Sequence, residues 1–253
     1  MNYTYIITLF SGGVVWEVVK FFYPDIKNYL EKRKKAKEIL HKNLDLAIKS
    51  ADELYGKLES LSKEDFATFI NIQNSNSNSP EHNQIYTCYL FAQFWASLEI
   101  IRLQSNYSSI TRLKKGKELI RFIETIESRK FRILDRSKQR IIGESMIINA
   151  DDKFKIVSLY TFFYKIENDT VFNKWINELK NTILSSKKKE IRQQILTHGL
   201  ISAMFIDHFD SKEEISRRRK IYKNKLSRKS KVIIKNVLLT HYLKFIENKE
   251  NYY

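Results

Sequence analysis

Two residues in the sequence could together carry out acid–base chemistry. Arg192 and His198 are separated by QQILT on a predicted helix. An arginine there would stabilise negative charge that develops in a reaction, and a histidine would act as acid or base. The chain has many arginines, however, so a pair at this spacing can arise by chance, and the flanking residues add nothing. The pair is a weak catalytic candidate.

The Arg192–His198 spacing resembles that of helical ribonucleases of the HEPN class, which implies RNA cleavage at a dimer interface. No P-loop, GxGxxG, HExxH, GxSxG or paired CxxC accompanies it. The five histidines also lack metal-ligand spacing. We therefore expect no cofactor and no metal, and we favour a protein that is not an enzyme.

A basic run at residues 212–235 is the strongest charge feature of the C-terminal half, with eleven Lys or Arg against two Glu. Its cations could contact the phosphates of nucleic acid, and Tyr222 could stack on a base. Anionic lipid headgroups or a solvated helix face are the alternatives. The candidate polyanion contacts in this run are Arg217, Arg218, Arg219, Lys220, Lys223 and Lys225.

The composition predicts a basic helical protein. The formal charge is +16, enough for a general attraction to nucleic acid or anionic lipid, although a plain lysine-rich surface would give the same number. Gly and Pro are scarce, which favours helices over many strands and turns. The single cysteine, Cys88, excludes an intramolecular disulfide and favours a reducing compartment.

Residues 5–23 (YIITLFSGGVVWEVVKFFY) could form an N-terminal transmembrane helix of roughly 28 Å. Glu17 and Lys20 interrupt it, so they would have to lie near the interface or inside a helix assembly. The predicted anchor residues are Trp16, Glu17, Lys20, Phe21, Phe22 and Tyr23, of which the aromatic ones would form an interfacial collar.

Pro24 is expected to end this anchor, and a basic stalk follows it. By the positive-inside rule the chain would be a single-pass inner-membrane protein with its bulk in the cytoplasm. The stalk residues Lys32, Arg33, Lys34 and Lys35 would contact anionic lipid. A first helix buried in a soluble bundle is the alternative. In the membrane, the small residues around Thr8 and Gly12 could let two anchor helices pack closely and form an oligomer.

Helical periodicity continues through residues 40–58, and Ser62 and Asp65 resemble a capping box that opens a short helix. The polar segment 71–84 (NIQNSNSNSPEHNQ) is typical of a disordered loop or a domain boundary. Residues 85–103 are apolar nearly all round, which predicts a central core helix, with a second membrane span as the alternative.

Further helices are predicted to the end of the chain. They lie around 119–126 and 133–147, after Asp151 and Asp152, after Asp169, and over 188–208 and 211–248. For the basic segment 128–140 (SRKFRILDRSKQR), a strand pair around 131–134 is an alternative to a helix. The fold class is therefore all-α: an N-terminal transmembrane helix, a stalk helix and a cytoplasmic helical bundle. The segments are 1–24 (anchor), 25–70 (stalk and short helix), 71–84 (loop) and 85–253 (bundle, which could form one domain with 40–70).

Three stretches resemble a group of uncharacterised bacterial proteins anchored to a membrane at the N-terminus: 51–66 (ADELYGKLESLSKEDF), 89–102 (YLFAQFWASLEIIR) and 137–147 (SKQRIIGESMI). The resemblance covers about the first 60% of the chain. It implies a helical fold and no assigned activity, so no functional residue is transferred.

The sequence favours a non-enzymatic interaction protein that is anchored to a membrane. Because the predicted anchor is interrupted by charges, the protein could be the membrane-acting effector of a bacterial stress or phage-defence system. Its partners would be anionic lipid, a protein partner and further copies of itself. The alternatives are a basic nucleic-acid-binding protein and, third, the HEPN-like ribonuclease.

Overall fold

The computed structural model describes residues 12–70, 79–104, 110–150, 153–217 and 221–253. In these ranges the chain is mostly helical, which confirms the all-α prediction in its general form. The α-helices are α1 (Gly12–Lys63), α2 (Ala67–Ile70), α3 (Ser79–Gln104), α4 (Lys114–Glu127), α5 (Arg136–Ser145), α6 (Leu159–Asn168), α7 (Thr170–Leu184), α8 (Lys189–Phe209) and α9 (Arg228–Ile233). The described residues also form a β-hairpin of β1 (Ile147–Ala150) and β2 (Lys153–Ile156). A π-helix covers Ile234–Tyr242, and there are 3-10 turns at Ser185–Lys187, Lys223–Lys225 and Lys249–Tyr252.

α1 is one continuous helix of 52 residues. From Ala36 onward one face is buried at the three-and-four spacing that the sequence predicts, at Leu40, Leu44, Ala47, Ile48, Ala51, Leu54, Tyr55 and Leu58. Residues 19–35, by contrast, are exposed on every side. Pro24 lies inside the helix, although an interior proline removes one backbone hydrogen bond. The chain therefore has no break where the predicted anchor was to end.

None of the described helices is both long enough and apolar enough to cross a membrane. The predicted transmembrane helix is thus unsupported, and the prediction of a single-pass inner-membrane protein with a cytoplasmic bulk is wrong. In the described part of the anchor the apolar run is short, because Glu17 and Lys20 interrupt it and charged turns follow. Residues before Gly12 lie outside the described residues, as do the side chains of Trp16 and Glu17. The other anchor candidates, Lys20, Phe21, Phe22 and Tyr23, are exposed on α1.

α3 is the central core helix that its sequence predicts. Apart from Tyr89 and Gln93, every residue from 87 to 101 is buried. α1, α5, α6 and α7 pack around it, and ring contacts such as Phe94 to Phe205, with centroids 6.1 Å apart, join it to α8. Because α3 begins at Ser79, the last six residues of the predicted 71–84 loop are helical. Residues 71–78 lie outside the described residues.

The capping box predicted at Ser62 does not form. Ser62 lies in the last turn of α1, where its hydroxyl donates a hydrogen bond to the Glu59 carbonyl over 2.7 Å. The chain then turns through Asp65 and Phe66, both in the left-handed region with φ of 48° and 64°. Only the short α2 follows, so the predicted helix begins later than expected.

The helix predicted from Asp151 and Asp152 is replaced by the hairpin. Those two residues lie outside the described residues, and β1 and β2 on either side pair antiparallel, with Ile147 opposite Ile156. The Val157 amide closes the pair by donating to the Met146 carbonyl over 2.9 Å. Alternating exposure along KFKI fits a strand better than a helix, since side chains of a strand alternate between faces.

Asp169 caps α7 as predicted. Its carboxylate accepts hydrogen bonds from the amides of Val171 and Phe172, over 3.1 and 2.9 Å. The helix predicted over 211–248 is wrong, because this stretch contains a 3-10 turn, the short α9 and a π-helix. Ser227 starts α9 by accepting from the Ser230 amide, a local cap that the helix prediction did not include.

A buried ion-pair cluster ties α3, α4 and α5 together. Arg102 of α3 pairs with Glu99 and with Glu127 of α4, and the three side chains are only 7–9% exposed. Glu127 also accepts from Nε of Arg136 over 2.9 Å and from Nε of Arg140 over 3.1 Å, both on α5. Burial alone would raise the pKa of Glu127, but the guanidinium groups of Arg140 and Arg102 lower it. One carboxylate therefore joins three helices.

α8 and α1 approach closely at Gly199. A Cβ on Gly199 would lie 2.3 Å from the Tyr222 hydroxyl and 2.7 Å from Cδ1 of Leu58. The hydroxyl of Tyr222 donates to the Leu196 carbonyl over 2.9 Å, and its ring stacks on Tyr55 of α1. The missing side chain thus makes room for a buried tyrosine between two helices.

Gly199→Ala is expected to lower the free energy of unfolding by about 2 kcal/mol, because overpacking outweighs the usual helical preference for alanine. Urea unfolding followed by circular dichroism measures this change. In a Tyr222→Phe background, where the obstructing oxygen is gone, the same alanine should cost less. An equal cost in both backgrounds would show that the Tyr222 hydroxyl is not the obstacle.

Glu127→Gln keeps the side-chain shape but leaves the buried Arg102 without its second carboxylate. We expect it to lower the free energy of unfolding by about 3 kcal/mol or more. Glu124→Gln on the same helix is the matched control, since it breaks only the exposed Arg121–Glu124 pair at 3.2 Å and should cost less than about 1 kcal/mol. Similar losses for the two variants would contradict a special role for Glu127.

Candidate functional site

Exposed cations lie on three segments that contact the first turns of α8 or form them: the turn after α4, the start of α8 and the segment that enters α9. We call these residues the basic surface: Arg129, Lys130, Lys187, Lys188, Lys189, Arg228 and Lys229, all exposed. They are far apart in sequence, so hydrogen bonds between the segments have to hold them together.

Gln193 of α8 joins the first turns of α8 to the segment that enters α9. Its amide nitrogen donates to the Lys225 carbonyl over 3.0 Å. Its amide oxygen accepts from the Ser227 amide over 2.7 Å and from the Ser230 hydroxyl over 2.9 Å. One side chain therefore fixes the backbone from which Arg228 projects.

The neighbouring Gln194 performs the same task for the turn after α4, because its amide nitrogen donates to the Arg132 carbonyl. Arg192 in turn donates to the Ser186 carbonyl over 3.2 Å and so stabilises the turn that carries the three lysines. Successive side chains of α8 thus bind three separate pieces of backbone. The basic surface is held by these hydrogen bonds and not by the cations themselves.

The three segments contain few carboxylates. Over 128–132, 186–192 and 225–231 the only acidic residue is Glu190. Asp135 pairs with Arg132, and Asp65 lies 3.3 Å from Nζ of Lys225, at the edge of this region. A concentration of one sign of charge creates a potential that attracts polyanions. Flexible exposed lysines suit contact with phosphate oxygens.

The structure separates the cations that the sequence grouped as polyanion contacts. Arg217 and Lys223 line a cavity, and Lys225 bonds to the Lys63 carbonyl and Asp65. Arg218, Arg219 and Lys220 lie outside the described residues. Lys32, Arg33, Lys34 and Lys35 lie on the exposed stretch of α1, apart in sequence from the basic surface.

Tyr222, expected to stack on a base, is buried against Tyr55 instead. Sequence reasoning also missed the lysines at 187–189 and Arg129 with Lys130. The run KKK directly before a helix is a visible charge signal. The contribution of Gln193 has no such signal, since nothing local marks a glutamine that bonds to residues more than thirty positions away.

His198 is fully buried and does not face a shared site with Arg192. Its imidazole lies among aromatic rings, with the Phe91 and Trp95 centroids 5.7 and 6.4 Å away. Nδ1 is 3.3 Å from the Phe131 carbonyl oxygen. Since Arg192 bonds to Ser186 and an RNA phosphate cannot reach a fully buried imidazole, this arrangement does not support the ribonuclease hypothesis.

Burial lowers the pKa of His198 to about 4, only partly opposed by its hydrogen bond with the Phe131 carbonyl. The ring is therefore neutral at pH 7. Among the described residues, Nε2 of His198 has no hydrogen-bond partner. Within the same residues no group of three or more His, Cys, Asp or Glu side chains is arranged to hold a metal ion.

A cavity of about 820 Å³ lies between α1, the end of α8 and the C-terminal segment. Asp207 and Tyr252 meet on its wall, where the tyrosine hydroxyl donates to the carboxylate over 2.5 Å. Burial raises the pKa of Asp207, the hydrogen bond from Tyr252 lowers it and the charge of Glu213 raises it. The lining also includes Lys115 and Arg217, so the cavity has both cations and carboxylates and indicates no single class of ligand.

Asp210, on the same wall, organises the loop that follows α8. Its carboxylate accepts from the amides of Glu214 (2.9 Å), Ile215 (3.1 Å) and Ser216 (2.7 Å), and from the Ser216 hydroxyl (2.7 Å). Burial alone would raise the pKa of Asp210, but these hydrogen bonds lower it. The carboxylate therefore has a structural role, and it supports the unusual φ of 56° at Glu213.

Comparison with known proteins gives no relative: no protein family, no curated protein and no solved structure matches the chain. The resemblance to N-terminally anchored bacterial proteins therefore stays a prediction.

Asp210→Asn is expected to destabilise the fold at neutral pH by about 2 kcal/mol, because an amide cannot accept all four hydrogen bonds. Since the folded pKa lies below the ordinary 3.8, the wild-type advantage should be complete above that pH and disappear as the pH falls through the folded pKa. Urea unfolding across this pH range measures the difference. Glu250→Gln, at an exposed position, should change stability by less than about 0.5 kcal/mol. A wild-type advantage that persisted in acid would contradict the assignment.

Proposed function

We propose that this chain is a nucleic-acid-binding protein that contacts the phosphate backbone through the basic surface. The observation that carries the proposal is that Gln193 and Gln194 hold three cationic segments together at the start of α8. Seven exposed Lys and Arg side chains result, on segments whose single carboxylate is Glu190. Phosphate contacts of this kind supply most of the affinity of non-specific nucleic-acid binders.

The binding mode we propose is contact with the backbone and not stacking on bases. Single-strand binders combine a basic groove with exposed aromatic rings. Tyr222 is buried, and Phe131, beside the cationic turn after α4, is buried in an edge-to-face contact with Tyr242. Contacts to phosphates alone carry no sequence information. We therefore expect binding without strong preference for sequence.

The hypothesis of a membrane-acting effector in stress or phage defence was based on the predicted anchor, which the described helices do not support. This hypothesis stays a prediction without further support. Anionic lipid and a protein partner likewise stay predictions as binding partners. The basic surface supports nucleic acid more directly, because several exposed cations lie on segments that are hydrogen-bonded to one helix and carry few carboxylates.

Replacement of Lys187, Lys188 and Lys189 by alanine should weaken binding to a short DNA duplex at least about tenfold at low salt. In wild-type protein, log K should fall linearly with log salt concentration. In the variant the slope should be smaller by up to about 3, because each phosphate that a lysine neutralises contributes close to one. Fluorescence anisotropy of a labelled duplex, titrated at several salt concentrations, measures both quantities.

The matched control removes the same charge elsewhere: Lys27→Ala, Lys34→Ala and Lys35→Ala on the exposed part of α1. This variant should retain binding and slope nearly unchanged. Equal losses of affinity in both triple variants would mean that net charge alone attracts the duplex and that the basic surface is not the site. Absent or salt-independent binding by the wild-type protein would overturn the proposed function.

A further inference from the structure

The exposed stretch of α1 carries an apolar stripe. Its side chains recur at spacings of three and four residues, which places them on one face of the helix. They are Val19, Phe22, Tyr23, Ile26, Tyr29 and Leu30, each 47–59% exposed. Phe21, at 76%, lies on the opposite face, so the stripe is a property of one side of the helix and not of the whole segment.

A helical stretch of this kind needs a surface to pack on. Most helical stability in proteins comes from burial of an amphipathic face, and an isolated stretch of this length is only marginally helical in water. Large apolar side chains carry roughly 150–250 Å² each, so six half-exposed ones offer on the order of 600 Å². Two such stripes together would bury about 1,200 Å², the lower end of the range for stable interfaces.

We propose that the stripe packs against the same stripe of a second copy of the chain, with the two helices antiparallel. The stripe follows a heptad pattern, with Val19, Ile26 and Arg33 at one core position and Phe22 and Tyr29 at the other, and it ends before Ala36, which the chain's own core buries. In an antiparallel pair, Ile26 of each copy lies beside the partner's Tyr29. Arg33 lies beside the partner's Phe22, where a guanidinium can pack on the ring.

Charge complementarity selects this arrangement. Asp25 and Lys32 lie along the same edge of the stripe, seven residues apart. In the antiparallel pair each Asp25 faces the partner's Lys32, so two opposite-charge pairs form around the twofold axis. In a parallel pair Lys32 would face the partner's Lys37, and the like charges would repel. On an anionic membrane, Asp25 would face the negative surface without a partner.

Charge exchange in the full-length chain tests the pairing. Asp25→Lys and Lys32→Asp should each raise the dissociation constant of the dimer about tenfold, because both pairs become repulsive. An equimolar mixture of the two variants should form a heterodimer as tight as the wild type, and the double variant Asp25→Lys with Lys32→Asp should regain self-association. Sedimentation velocity over a concentration series measures all four cases.

A second pair of variants tests the stripe itself. Ile26→Glu should abolish the dimer, whereas Phe21→Glu, on the opposite face, should leave it intact. Circular dichroism checks that the variants remain folded. A wild-type chain that stays monomeric, or single variants that are not rescued by mixing, would overturn the proposal. Flotation of a monomeric wild-type chain with phosphatidylglycerol vesicles would overturn it too and assign the stripe to a lipid surface. DNA binding by the Ile26→Glu variant is measured separately, so failure here leaves the proposed function unaffected.

Discussion

The burial of α3 on nearly all of its faces is the constraint on which the rest of the fold depends. A helix that is apolar all round has no face that can remain in water, so neighbouring helices have to cover it. α1 and α5 make the most extensive contacts with it, and the aromatic residues of α8 close the remaining side. The backbone amides of α3 are satisfied within the helix, so this burial leaves few polar groups to compensate.

The same packing explains the buried polar groups. The last turn of α3 carries Arg102 into the interior, where an unpaired charge would be costly, and Glu99 and Glu127 compensate it. The close approach of α8 to α1 leaves no space for a side chain at Gly199. It also encloses His198 among Phe91 and Trp95, which keeps the imidazole neutral and away from solvent.

The two candidate surfaces lie outside this core and depend on different forces. The basic surface is electrostatic, so its affinity for a polyanion falls with salt. The stripe on α1 is mainly apolar, so its pairing should depend less on salt, apart from the contribution of Asp25 and Lys32. A dimer formed through α1 would present two basic surfaces, and two linked sites bind one polymer more tightly than either site alone.

The sequence by itself determined the elements that depend on neighbours along the chain. Scarce Gly and Pro indicated an all-α protein, the apolar run in residues 85–103 identified α3, and Asp169 predicted the start of α7. Local pattern misassigned the membrane anchor, because an apolar run broken by Glu17 and Lys20 still resembles a span. It also misassigned the hairpin after Met146 and the loop that Asp210 organises, because strand pairing and carboxylate–amide bonds join separate positions.

The candidate site was likewise only partly predictable from the sequence. The lysines at 187–189 are visible in the sequence, but only the tertiary structure joins the start of their helix to the segment of Arg228, since the hydrogen bonds of Gln193 reach residues more than thirty positions away.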